Sequence, residues 1–325
     1  MKVFKPLVPL HKFINCGMKY RLAFLFCSLL YLSTSAQKQA DTIIVLGSKL
    51  ITLSTVVLDN KLNVPSFIEK VKSDSSFYKA FKNLRILNFS AINDIRMNDK
   101  KGGLNASLFS HTKQTVQNGC RTMQVIDEKI SGDFYTDSKD YNFYTAQMYA
   151  SLFFTKGSIC GEDNIVKGKE FTTEGKSGME KHKEQLKMLF FNPGKRINGL
   201  PFMSSKTAIY DDDIADSYDM DIDWEPYNNS NCYVFKQKVK DGKKGTVVVD
   251  EMTTWFNDST FDVVARNYTL SYDAGVYDFK VSMEVQMTKG GDFSVPALIR
   301  YNGNWKAIFK KRERGIFTAT LSDFR

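Results

Sequence analysis

Ser76-Phe77-Tyr78-Lys79 sets a hydroxyl and an amine one helical turn apart, the spacing of a serine nucleophile served by a lysine base. The motifs that accompany that chemistry, Ser-Asp-Asn and Lys-Thr-Gly, do not occur in the chain. Gly175-Lys176-Ser177 has the close of a phosphate loop, but Glu170 stands where the first glycine must turn the backbone toward a phosphate. Asp211, Asp212, Asp213, Asp216, Asp219, Asp221, Asp223 and Glu225 form an acidic run, and Asp219-x-Asp221-x-Asp223 has calcium-loop spacing. Trp224 replaces the glycine of that loop, and Ser230 replaces its closing glutamate. The same residues read more simply as a strand, with carboxylates on one face and Tyr218, Met220, Ile222 and Trp224 on the other. Beyond the leader only His111 and His182 remain, too few for a multi-histidine zinc site. No catalytic residue, metal or cofactor is implied.

The elements around these residues begin with an export signal. Lys19 and Arg21 precede the apolar run Leu22 to Leu32, and small residues follow at Thr34-Ser35-Ala36. Cleavage is expected after Ala36, with residues 1–17 as an extension if Met18 is the true start. The run falls short of the roughly 20 residues a membrane span needs, so no integral anchor is expected. The formal charge of +9 is inflated by this segment. Without Lys2, Lys5, Lys12, Lys19 and Arg21, 40 basic groups face 36 acidic ones. That balance does not point to nucleic acid, and the basic stretches Lys236–Lys244 and Lys306–Arg314 read as solvated strand faces. Cys120, Cys160 and Cys232 remain for an oxidising compartment; at most one bridge forms, and Cys120 with Cys160 is the expected pair.

Residues 37–64 read as an extended lead-in and 65–325 as a single domain. Pro65, Ser66 and Glu69 have the spacing of a helix start with a capping box, and helices are expected at 66–83, 144–154 and 179–190. Asn118-Gly119 predicts a tight hairpin between strands 104–117 and 120–130, because both turn positions need positive φ. From Tyr218 onward strands follow one another with turns at 241–245, 257–259, 273–275, 289–292 and Asn302-Gly303-Asn304. In the clearest of them Tyr277, Phe279, Val281, Met283, Val285 and Met287 alternate with Asp278, Lys280, Ser282, Glu284 and Gln286. That is one dry face and one wet face. Short connections make neighbours antiparallel. The fold class is therefore α+β: a long antiparallel β-meander curved into an incomplete barrel, its concave face covered by helices.

Thr253-Thr254-Trp255-Phe256-Asn257-Asp258, followed by Phe261-Asp262-Val263-Val264-Ala265-Arg266, resembles the strand–turn–strand of outer-membrane lipoprotein-sorting and carrier proteins. The order of elements is similar too. Phe191-Asn192-Pro193-Gly194-Lys195-Arg196-Ile197, Asp250-Glu251-Met252-Thr253-Thr254-Trp255-Phe256 and Phe309-Lys310-Lys311-Arg312-Glu313 resemble an uncharacterised exported family of Gram-negative bacteria. The carrier resemblance implies a half-barrel that holds acyl chains against an apolar lining. The candidate lining is Tyr233, Phe235, Trp255, Tyr277, Phe279, Val281, Met283, Val285 and Met287, residue types that suit an adaptable pocket. The reading is an exported, non-enzymatic periplasmic or outer-membrane-associated protein whose partner is a lipid, an acylated protein or another apolar ligand. The alternatives are a structural or protein-interaction module of the envelope, and a serine hydrolase using Ser76 and Lys79.

Overall fold

The computed structural model describes residues 42–47, 49–59, 62–166, 188–197, 203–275, 277–307 and 311–325. The signal segment, its cleavage position, Glu170, Gly175-Lys176-Ser177 and His182 lie outside the described residues.

The lead-in is not simply extended. It forms strands β1 (Thr42–Leu46) and β2 (Lys49–Leu53) and a helical turn, α1 (Thr55–Asp59). Helices α2 (Val64–Ser73) and α3 (Ser76–Asn83) follow, then β3 (Phe89–Asn98), β4 (Leu104–Gln117), β5 (Cys120–Ser131), α4 (Tyr144–Phe153) and β6 (Ser158–Cys160). The rest is α5 (Asp212–Ala215), β7 (Tyr218–Tyr227), β8 (Ser230–Val239), β9 (Val249–Asn257), β10 (Val263–Asp273), β11 (Tyr277–Gly290), β12 (Phe293–Ala307) and β13 (Glu313–Ser322). Residues 188–191 are helical.

The protein is mostly β. The strands make one open, 13-stranded sheet in the order β1-β2-β7-β8-β9-β10-β11-β12-β13-β3-β4-β5-β6. The meander holds from β7 to β13, but β13 then pairs with β3, so β3 to β6 form a second wing. The pair β2–β7 is parallel and brings Ile51 and Leu53 into the core. At the β4–β5 hairpin Asn118 and Gly119 adopt φ of 52° and 72°, as the mirror-image turn requires. A disulfide joins Cys120 to Cys160 across the directly paired strands β5 and β6; Cys232 is free and buried.

Two local readings are corrected. The cap of α2 is Asn63, whose side chain accepts from the Ser66 N–H at 3.0 Å, while Pro65 lies inside the first turn. Asn302-Gly303-Asn304 is no turn but the middle of β12. Gly303 is there because the Tyr301 ring crosses it; a Cβ would stand 1.9 Å from the Tyr301 hydroxyl.

Strand register sorts the side chains. Tyr233 faces Phe256, Tyr268 faces Met283, Met283 faces Tyr301, Tyr301 faces Phe317, and Ala319 faces Asn93. All of these share one face, and the contacts from α2, α3 and α4 described below land on it.

Candidate functional site

Six of the nine proposed lining residues lie together on that face. Tyr233, Phe235, Phe279, Val281, Met283 and Val285 are all buried. Met287 continues the row, partly buried, beside a register shift. The Tyr277 side chain lies outside the described residues. Trp255 is on the opposite face: it pairs with Val234, stacks on Tyr227 at 4.8 Å and donates to Glu225 Oε1 at 2.8 Å. Thr254 is the β9 residue opposite Phe235.

The layer above these residues is filled by side chains. Phe67 of α2 meets Tyr233, Phe235 and Phe256 edge-on at 6.1, 5.6 and 5.4 Å. Phe77 of α3 meets Tyr268 at 6.5 Å. Phe190 meets Tyr301 at 5.8 Å, and Phe191 meets Phe81 of α3 at 4.3 Å. The Tyr268 hydroxyl bonds the Phe190 carbonyl and lies 3.1 Å from Met283 Sδ. Edge-on ring pairs add about 0.5–1.5 kcal/mol each beyond burial. The contacts are numerous, but few are directional.

A small polar group pins these elements. Arg266 projects from β10 into the layer, where its Nε donates to Thr254 Oγ1 at 2.9 Å and its guanidinium lies 4.4 Å from the Phe77 ring centre. Its Nη2 is 3.8 Å from Asp74, the residue that joins α2 to α3. Lys195 donates to the carbonyls of Val71 and Lys72 at the end of α2, where the helix dipole favours a cation. Burial pushes the Lys195 ammonium down to about 8; Asp74 works against that shift and Arg266 adds to it. Gly194, at φ 85°, turns the chain so that Lys195 can reach; a Cβ there would stand 3.1 Å from Ile209 Cδ1 and 3.3 Å from the Met252 methyl. Beside this group a cleft of 460 Å³ opens, lined by Lys72, Gly194, Lys195, Arg196, Tyr210, Asp211 and Asp212.

The hydrolase pair is not assembled. Ser76 Oγ is buried without a hydrogen-bond partner among the described residues, while Lys79 is exposed. The carboxylates Asp219, Asp221 and Asp223 lie on the face away from the buried Tyr218, Met220 and Ile222, and Lys236 of β8 stands 4.0 Å from Asp223. No group of three metal-ligating side chains occurs among the described residues.

No protein family description and no curated protein matches this chain. Solved structures do. One is a DUF1329 family protein from Desulfovibrio piger, 13% identical, covering 77% of this chain and 93% of that one, with a TM-score of 0.22. Another is an outer membrane lipoprotein-sorting protein domain from Vibrio parahaemolyticus, 9% identical, covering 75% and 88%, with a TM-score of 0.23. The second is of the kind the β9–β10 motif resembles. Likeness at this level establishes neither fold nor activity, so the functional reading rests on the chain's own geometry.

Sequence reasoning passed over Arg266, Asp74 and Lys195. They stand far apart in the chain, at positions 74, 195 and 266, in segments with no chemical motif. The available signal was that Lys195, Thr254 and Arg266 all fall inside the segments that carried the family resemblances.

Proposed function

We propose that the chain is a non-enzymatic protein of the cell envelope that takes a lipid or acyl chain onto the apolar face of β8–β12. The helices α2 and α3 and the segment 188–197 serve as its cover. One observation carries this reading. The layer between cover and sheet is mostly aromatic, aliphatic and thioether, and the cover is tied over it by a few polar contacts, among them Arg266–Asp74, the Lys195 bonds to α2, Tyr268–Phe190 and Asn83–Ser294. Non-directional packing can re-form around a hydrocarbon, and methionine and aromatic rings adapt readily. Because the layer is filled in the closed state, binding displaces Phe67, Phe77 and Phe190 from the sheet. The Cys120–Cys160 bridge suits the oxidising compartment expected for an exported protein. Among the described residues no helix is long and apolar enough to cross a membrane.

Native mass spectrometry of the exported protein, before and after delipidation, tests the proposal. Acyl-chain adducts that vanish on delipidation and return on adding lipid are expected. A single bare mass under every condition contradicts it. An envelope interaction module is favoured by a different observation, the edge hairpin β1–β2, where Ile43, Val45 and Leu50 are 62%, 67% and 51% exposed. In that case crosslinking recovers a protein through these residues and no lipid.

A further inference from the structure

The cleft beside the cover has an unbalanced charge at its back wall. Lys72 is paired with Glu69 at 2.9 Å, Arg196 with Asp211 at 2.8 Å through Nε, and Asp212 with Lys49 at 2.9 Å. These pairs neutralise one another. Lys195 differs: its hydrogen-bond partners are two carbonyls, and the carboxylate coupled to it, Asp74, is shared with the buried Arg266. Two cations therefore share one carboxylate; burial is what depresses the Lys195 ammonium, with Asp74 opposing that shift and Arg266 adding to it. Among the described residues two carbonyls take two of the ammonium's three donors, the Tyr210 ring centre lies 5.8 Å from Nζ, and the third donor is the one offered to a ligand.

The cleft also abuts the apolar layer. The wall between them is Gly194, where a Cβ would stand 3.3 Å from the Met252 methyl, and Tyr210, whose buried ring stacks at 6.4 Å on Phe235. Met252 and Phe235 belong to the apolar face of β8 and β9. A cleft of this size suits a small headgroup.

We infer that this cleft seats the anionic headgroup of an amphiphile, a carboxylate or similar oxyanion held by Lys195, while the attached hydrocarbon passes Gly194 and Tyr210 onto Phe235 and Met252. This rests on the function proposed above and names the ligand class for that site. Lys195 is the residue that sets the preference for charge; Lys72 and Arg196 line the same cleft, each paired with a carboxylate.

Dodecanoate and dodecanol share a chain and differ in charge, so their affinities for the mature protein, measured by calorimetry near pH 7, separate the two claims. A charge-assisted hydrogen bond is worth about 1.5–3 kcal/mol, so dodecanoate should bind about tenfold or more tighter. Lys195→Met should erase the preference, and Lys195→Arg should keep it. Because Lys195→Met also removes the tie to α2, a second readout uses the unaltered protein. The dodecanoate preference should fall as pH rises through Lys195's own titration, with dodecanol unaffected. Equal affinities in the native protein, or a preference that survives both Lys195→Met and high pH, overturn the inference and leave the lipid-binding reading standing. Binding of neither compound overturns both.

Discussion

The same sheet buries two different interiors. On β8–β12 the helix-side residues include Phe235, Met252, Leu270, Val281, Met283 and Val285, packed under aromatic rings, with Gln237, Thr254 and Arg266 buried among them. On β3 and β4 the same face carries a polar cluster, Asn93, Ser110, Thr112 and Gln114, about as deeply buried, beside apolar Ala91, Ile95, Met97, Ala106 and Leu108. There Asn93 Nδ2 donates to Ser110 Oγ and Thr112 Oγ1 at 3.3 Å, and the Tyr149 hydroxyl of α4 donates to Asn93 Oδ1 at 2.7 Å. Gln114 Nε2 donates to the carbonyls of Leu84 and Leu87 at 2.6 and 2.9 Å. Glu313 of β13 caps α4, accepting from the N–H groups of Tyr144 and Thr145 at 2.8 Å each. Hydrogen bonds fix one geometry and are costly to leave unmade, whereas apolar contacts tolerate rearrangement. The proposed function requires the apolar wing to open while the polar wing stays closed.

The largest effect expected is on the apolar side. Phe67→Ala removes a ring packed among aromatic neighbours and should cost about 3–5 kcal/mol, read from urea unfolding. At the polar wing Tyr149→Phe, which leaves Asn93 Oδ1 without its donor, should cost about 1–3 kcal/mol. Volume-preserving changes sharpen the contrast. Met283→Leu should cost under about 1.5 kcal/mol, with lipid affinity retained, while Thr112→Val, similar in shape, should cost more because it removes one of the two acceptors of Asn93 Nδ2. Equal costs for the two would erase the distinction between the wings.

The smallest effect is on pH. Lys195 titrates at about 8 in the folded chain against an ordinary 10.5. Between those values the unfolded chain holds more protons, so stability rises as pH rises through that window and the increment is lost again as pH falls through 8. The native protein minus Lys195→Met, compared by thermal unfolding from pH 7 to 10, should show that slope; parallel curves would assign no burial cost to the lysine.

Much of this architecture is legible locally. The alternation of Phe279 to Val285 and the Asn118-Gly119 turn depend on neighbours in sequence, so both can be read directly. The apolar stripe of α2 can be read as well, although its cap was misplaced because Asn63, not Ser66, reaches the free N–H. What the sequence hides is parity and distance. Placing Trp255 in the lining required knowing which β9 residue stands opposite Phe235. Reading Gly303 as a turn ignored the ring of Tyr301 two residues away on the same face. The charged group of Asp74, Lys195 and Arg266 exists only after three distant segments meet, and no periodicity announces it.

The claim that the apolar wing opens to hydrocarbon while the polar wing does not is tested most directly by methionine-methyl NMR with a spin-labelled fatty acid. The methyls of Met252 and Met283 should broaden on titration, and those of Met97 on β3 and Met148 on α4 should remain sharp. Uniform broadening, or none beyond surface residues, would contradict the account.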